Sequence, residues 1–187
     1  MARFELVSRF ANDPSCAYAL PKRATAHAAG YDLYAAEDVL IRPYFSQMVK
    51  WCETDPEVQE QTETEYPVRS LSEVAKFTKE NKIKPTLVST GMKIKLDDNE
   101  YLELLPRSST PLKYWLVLAN SSGIIDSDYY NNPDNEGEIF LQLINLSPVA
   151  IQIHKGDFLG QGIIHKYYTT EDDCAEGQRQ GGFGSTH

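Results

Sequence analysis

The chain has 187 residues, 41% of them apolar and 24% charged, a length for one domain or one domain with a large insert, and a balance that excludes disorder and low-complexity scaffolds. Acidic residues outnumber basic ones 27 to 18, a formal charge of −9, which repels polyanions and argues against general binding of DNA or RNA through a basic face. The longest apolar run, Tyr114 to Ala119, falls far short of the ~18 residues of a membrane span.

Met1 to Phe10 alternates Arg and Glu with apolar residues and holds no stretch of signal-peptide length, so the expectation is a cytoplasmic protein without a membrane partner. Cys16, Cys52 and Cys174 are odd in number and far apart. They read as reduced, structural thiols, not as a disulfide framework or a zinc site.

In chain order, Ala29-Gly30-Tyr31-Asp32-Leu33 first sets a carboxylate beside a glycine; alone, Asp32 reads as a turn or cap residue. From about Pro43 to Lys84 the apolar period turns helical. Phe45, Met48, Val49 and Cys52 fall at i, i+3, i+4 and i+7. Asp55 before Pro56 predicts a helix start, with the aspartate as N-cap. Ser70 and Glu73 have capping-box spacing, and Leu71, Val74, Ala75 and Thr78 give the next helix its stripe. Residues 59–65 between them are polar and acidic. The segment 43–84 is predicted as a helical insert in a β domain.

β patterns dominate beyond it. Met92 to Leu96 alternates with period two, Asp97-Asp98-Asn99 supplies a turn, and Tyr101 to Leu105 is predicted as the return strand. Pro106-Arg107-Ser108-Ser109-Thr110 puts one guanidinium fork beside three hydroxyls, fit for a phosphate clamp or for an ordinary loop. Gly123 to Tyr129 embeds Asp126 in an apolar run, and a buried carboxylate needs a partner, which makes it a better functional candidate than the surface acids.

Ile139, Leu141 and Leu143 face one way, and Phe140, Gln142 and Ile144 the other. Ile151 to His154 repeats the habit before a Lys155-Gly156-Asp157 turn. Short strands between turn signals predict an all-β antiparallel barrel or jelly roll. The tail Gly181 to Thr186 is glycine-rich and ends in hydroxyls, suited to cradling phosphate and equally to a mobile terminus.

The order of these segments is more specific than any one of them. AGYDL, PRSS, NSSGIIDSDY, GDFLGQ and GGFGST follow one another along the chain. This succession resembles the five motifs of the homotrimeric dUTP diphosphatase (dUTPase) family, over about residues 20–42 and 85–187. The resemblance implies a single dUTPase-like domain over 1–187, a β jelly roll (β-clip) with the helical insertion at 43–84 and a C-terminal arm at 175–187. It also implies a homotrimer with shared active sites, a Mg2+ cofactor, and conversion of dUTP and water to dUMP and diphosphate.

By the same resemblance, Asp32 reaches the magnesium through water. Arg107 and Ser108, with Ser109 beside them, hold the triphosphate, and Gln161 contacts phosphate. Asn120 and the hairpin backbone from Gly123 to Ile125 read the uracil edge. Asp126 orients and deprotonates the attacking water, while Tyr129 packs beneath the deoxyribose and leaves no room for a 2′-hydroxyl. Phe183 stacks on the base as Gly184, Ser185 and Thr186 close over the phosphates.

The chemistry agrees with that assignment. Cleavage between the α and β phosphates needs a water in line with the leaving diphosphate and donors for the charge it takes away. Magnesium takes oxygen ligands and keeps its waters, so no His or Cys cluster is expected. A backbone-read edge rejects cytosine, whose amine presents a donor where uracil presents an acceptor. Thymine is excluded at its methyl group.

The sequence departs from the family at several points. Gln178 stands where an arginine is usual, and Arg179 after it is expected at the γ-phosphate in its place. Phe158 replaces the arginine of a common GDR, removing an ion pair, and residues 131–137 lengthen the connection after Tyr129. Two other readings stand beside the first. A dCTP deaminase shares the fold but carries a catalytic Glu in a Leu-Glu-x-x-Asn pattern, where this chain has Leu141-Gln142-Leu143-Ile144-Asn145; Gln142 cannot cycle a proton. A regulatory or binding protein would instead use the 43–84 insert to dock a protein partner, against the favoured reading that the insert packs on its own domain or rims the trimer.

Overall fold

Short strands with alternating apolar residues bury one face each, and antiparallel sheets packed face to face do this for all of them. The computed structural model describes residues 1–13, 20–60, 67–177, 179 and 181–182. Its strands are β1 (Arg3–Leu6), β2 (Tyr31–Tyr34), β3 (Val39–Ile41), β4 (Thr86–Ser89), β5 (Met92–Lys95), β6 (Glu100–Pro106), β7 (Leu116–Leu118), β8 (Gly123–Asp126), β9 (Phe140–Asn145), β10 (Ile151–Ile153) and β11 (Phe158–Lys166). They form a four-stranded sheet β2-β11-β6-β8, a three-stranded sheet β4-β9-β7, and the pairs β1-β5 and β10-β3. The ladders run antiparallel. The fold is the expected all-β jelly roll with small helices.

Between the sheets lies one core of Leu33, Ile41, Val88, Leu102, Leu116 and Leu141 with their neighbours, each such side chain contributing about 1.5–3 kcal/mol by leaving water. The alternation of β9 holds: Ile139, Leu141 and Leu143 are buried, and Phe140, Gln142 and Ile144 lie half-buried on the other face.

Two pairings differ from the sequence reading. β6 is not the return strand of β5. β5 pairs with β1, Phe4 opposite Ile94, and β6 sits between β11 and β8. Likewise β7 joins β9 while β8 joins β6, so residues 116–126 cross from one sheet to the other and do not form a hairpin. Alternation fixes which face of a strand is buried but not which strand lies beside it.

The insert holds α1 (Tyr44–Thr54), α2 (Pro56–Gln59) and α3 (Leu71–Asn81). The capping box at Ser70 is present: its hydroxyl accepts from the Glu73 amide at 3.3 Å, and Glu73 accepts from the Ser70 amide at 2.8 Å. Asp55 is at the N-cap position of α2 with Pro56 opening the helix, as predicted, but its side chain makes no cap hydrogen bond. Its carboxylate is held by Arg69, with Nη2 to Oδ1 at 2.7 Å, and by Trp51 Nε1 at 3.2 Å, because a charged fork outcompetes a backbone N–H. The predicted stripes are not what the helices pack. Leu71 is 90% exposed and Phe45 73%; α1 and α3 meet through Trp51 and Phe77, stacked at 5.1 Å.

Cys52 and Cys174 are free but exposed, not packed in the core, and Cys16 lies outside the described residues. Among the described residues no helix is long and apolar enough to cross a membrane.

Candidate functional site

One group of site residues gathers at an end of the four-stranded sheet. In register, Gln161 of β11 lies between Asp32 of β2 and Leu105 of β6, so all three point to the same outer face. Gly30 lies close beside them: a Cβ there would meet the Gln161 amide oxygen and force that side chain to move. Gln161 Nε2 donates to the Pro106 carbonyl at 3.3 Å.

Arg107 leaves the end of β6 and points its Nε at Asp32 Oδ1, 3.2 Å away. Its guanidinium lies over the Phe158 ring, 4.7 Å from the centroid. The short helix α4 (Ser109–Tyr114) follows, with Ser108 at its N-cap making no side-chain cap. Thr110 ties α4 to β11 through a 2.9 Å hydrogen bond to the Leu159 carbonyl. Ser109 shares a cavity of about 330 Å3 with Arg107, Asp157 and Phe158. This end presents one guanidinium and two hydroxyls, the donor set that anionic oxygens need.

A second group surrounds a cavity of about 210 Å3 lined by Asn120, Gly123, Ile125, Asp126, Tyr129 and Gln142, among others. Ser121 at φ 59° turns the chain into β8, where Gly123 pairs with Leu104. Asp126 ends β8, and a single 3-10 turn, Ser127–Tyr129, carries the chain on. The Tyr129 ring is buried; its hydroxyl donates to the Glu138 carbonyl at 3.1 Å and accepts from Asn135 Nδ2 at 2.7 Å. That burial pushes the phenol pKa up.

The lengthened connection after Tyr129 has a visible role here. Asn132 donates to the Tyr129 carbonyl at 3.0 Å and to Asn135 Oδ1 at 2.8 Å. Gly137, at φ 78°, lets this loop fold back, because a Cβ on it would lie 2.5 Å from the Tyr129 carbonyl oxygen. This loop buttresses the aromatic floor of the cavity.

Arg179 closes one side. Its guanidinium pairs with Asp126 through Nη2, reaches Asp128 through Nε at 2.7 Å, and lies 5.8 Å from the Tyr129 ring centroid. Burial works against its charge, yet the hydrogen bond and charge of Asp128, joined by Asp126, raise its pKa further. Arg179 therefore rests on the two carboxylates. Phe183, Gly184, Ser185 and Thr186, and Gln178 with them, lie outside the described residues.

The two groups do not meet within one chain. Asp126 stands opposite Tyr101 at one end of β6, and Arg107 lies beyond the other end, roughly 20 Å away at about 3.3 Å per residue. Asp32, Gln161, Leu105, Tyr101 and Asp126 share the outer face of a single sheet. Residue spacing alone did not show Phe158 under Arg107, nor Arg179 on Asp126 and Asp128. Phe140 and Gln142 on the cavity wall were within reach, since alternation had already set them on the face opposite the core.

A family model described as dUTPase matches residues 56–187. The chain is 35% identical over 185 residues to the deoxyuridine 5′-triphosphate nucleotidohydrolase of Lactococcus lactis subsp. lactis, covering 98% of this chain and 95% of that protein. Among solved structures, the dUTPase from Streptococcus mutans superposes with a TM-score of 0.64 at 34% identity, covering 90% of this chain and 98% of that one. A mutant dUTPase from phage phi11 of S. aureus, whose structure reveals the coordination of a structural Mg(II) ion, is 18% identical with a TM-score of 0.55, covering 95% of this chain and 97% of that one. That last likeness is one of fold.

Proposed function

The chain belongs to the dUTPase family, and on that footing we propose that it hydrolyses dUTP to dUMP and diphosphate with Asp126 as the base that activates the attacking water. It is a hydrolase of nucleotide metabolism. The observation that carries the reading is the cavity where Asn120, Gly123, Ile125, Asp126 and Tyr129 meet: polar groups for a base edge, an aromatic floor for a sugar, and one carboxylate at the rim. Gln142 on the same wall is an amide where a deaminase needs a carboxylate, which disfavours that chemistry.

In the proposed reaction Asp126 accepts a proton from a water as its oxygen attacks the α-phosphorus. The bond to the bridging oxygen breaks and diphosphate leaves with the electron pair. Arg179 must first move off Asp126, and the phosphates are the natural destination for its guanidinium. Arg107 and the Ser108 and Ser109 hydroxyls take phosphate oxygens at the other end. Asp32 would hold magnesium through water. A single carboxylate fits an ion that keeps its waters and draws ligands from phosphate, and among the described residues no group of three or more His, Cys, Asp or Glu could hold a metal. When bound, the ion neutralises phosphate charge.

The roughly 20 Å between Arg107 and Asp126 supports a shared site. Both groups lie on one outer face, so a symmetry-related copy laid against it brings the phosphate group of one chain to the nucleoside group of the next. We assign the closed assembly as a homotrimer, acting in the cytoplasm, with the 183–186 segment completing the site. The exposed apolar side chains of α1, Phe45 and Met48 among them, favour a second role for the insert as a surface for a protein partner; deletion of residues 46–82 with hydrolysis retained and a bound partner lost would show it.

Diphosphate release measured over dUTP, dCTP, dTTP and UTP tests the activity. Release from dUTP alone is expected. Ammonia from dCTP would replace the reading with deamination.

A further inference from the structure

The loss of the family's usual arginine after Asp157 leaves an aromatic ring in its place, and that ring is not idle. Phe158 stands opposite Tyr34 across β2 and β11, and the two rings pack at 4.2 Å. Phe158 also carries the guanidinium of Arg107, 4.7 Å from the ring centroid. Asp157 meanwhile closes its own turn, accepting from the His154 amide at 2.8 Å. Arg107 is thus paired with Asp32, Nε to Oδ1 at 3.2 Å, and lies over an aromatic ring that itself packs on Tyr34.

We infer that Phe158 is a positioning residue for the triphosphate: it holds the Arg107 guanidinium flat and turned so that its Nη groups are presented to phosphate oxygens. A planar, weakly hydrated guanidinium stacks on an aromatic face without giving up its in-plane N–H donors. Asp32 comes nearest at Nε, 3.2 Å away, so the two Nη groups can present the fork geometry that a phosphate accepts. An arginine at 158 would repel the guanidinium of Arg107; a phenylalanine attracts it. The chain has exchanged an ion pair beside the phosphate site for a neutral stacking platform under it. This inference rests on Arg107 being a triphosphate ligand, as proposed above.

The test is a set of four variants assayed for dUTP hydrolysis: Phe158→Leu, Phe158→Tyr, Arg107→Ala, and the double variant Phe158→Leu with Arg107→Ala. Each is checked first for an unchanged melting temperature. Loss of a stacking partner at a half-exposed site is expected to raise KM about 3- to 10-fold in Phe158→Leu with kcat nearly unchanged, and Phe158→Tyr should restore the wild-type KM. In the Arg107→Ala background, Phe158→Leu should add nothing, because the ring acts through the guanidinium. A wild-type KM in Phe158→Leu, a Phe158→Tyr variant as impaired as Phe158→Leu, or additive effects in the double variant would each overturn the positioning role while Arg107→Ala still raises KM. A wild-type KM in Arg107→Ala would overturn the phosphate-site reading itself.

Discussion

Two chains that each turn over dUTP poorly, one Asp126→Asn and the other Arg107→Ala assayed well below its raised KM, are expected to restore activity to one another in a mixed assembly. The reason is distance. Asp126 pairs across to Tyr101, and Arg107 lies roughly 20 Å away along β6 at about 3.3 Å per residue, beyond the reach of any one nucleotide triphosphate bound to both in the same chain. A working site then takes its guanidinium from one copy and its carboxylate from the next. In a cyclic trimer containing both variants, whatever their ratio, one junction joins an intact Arg107 to an intact Asp126, so about one third of the sites work. Co-expression with two different tags and sequential affinity purification isolates the hybrids, and diphosphate release counts the working sites. A hybrid dimer would instead recover about one half. If doubly tagged material is no more active than either parent, each chain builds its own site and the shared-site account fails.

Two further outcomes follow from the loop that buttresses Tyr129. Gly137→Ala places a Cβ 2.5 Å from a backbone carbonyl at φ 78°, a left-handed strain of about 1–3 kcal/mol; melting temperature should fall and KM for dUTP rise, whereas Gly177→Ala, with nothing within 4 Å of its Cβ, should change neither. Burial raises the Tyr129 phenol pKa, so its contribution to stability is complete below the unfolded value of about 10 and is lost as pH rises through the higher folded value. Denaturant unfolding followed from about pH 10 up through the folded value should show a decline in wild type that Tyr129→Phe, which cannot ionise there, lacks; identical slopes would refute the assignment.

Much of this molecule was legible in its sequence for identifiable reasons. Period-two alternation put Ile139, Leu141 and Leu143 in the core because a strand has only two faces. The Ser70–Glu73 box was readable because both partners lie within one turn. Asp126 stood out as a carboxylate in an apolar run, yet it is not buried as that run implied: its side chain is 49% exposed at the end of β8. What escaped depends on contacts distant in sequence. Nothing local distinguishes β1 from β6 as the neighbour of β5. Asp55 sits at the N-cap position as read, but that its carboxylate would go to Arg69 was not visible, since Arg69 lies beyond the acidic stretch. Leu71 fits a helical stripe, yet no neighbouring element covers it. Phe158 was visible as a substitution, but its use required knowing that β11 brings it beneath Arg107.

One carboxylate, Asp126, is proposed to steer water onto the α-phosphorus of dUTP. The most direct test of that role is diphosphate release from dUTP by Asp126→Asn, purified and shown by sedimentation to match the wild-type assembly. Removing a general base is expected to lower kcat by about 10²- to 10⁴-fold while dUTP binding persists. An amide variant that turns over at the wild-type rate would contradict the account.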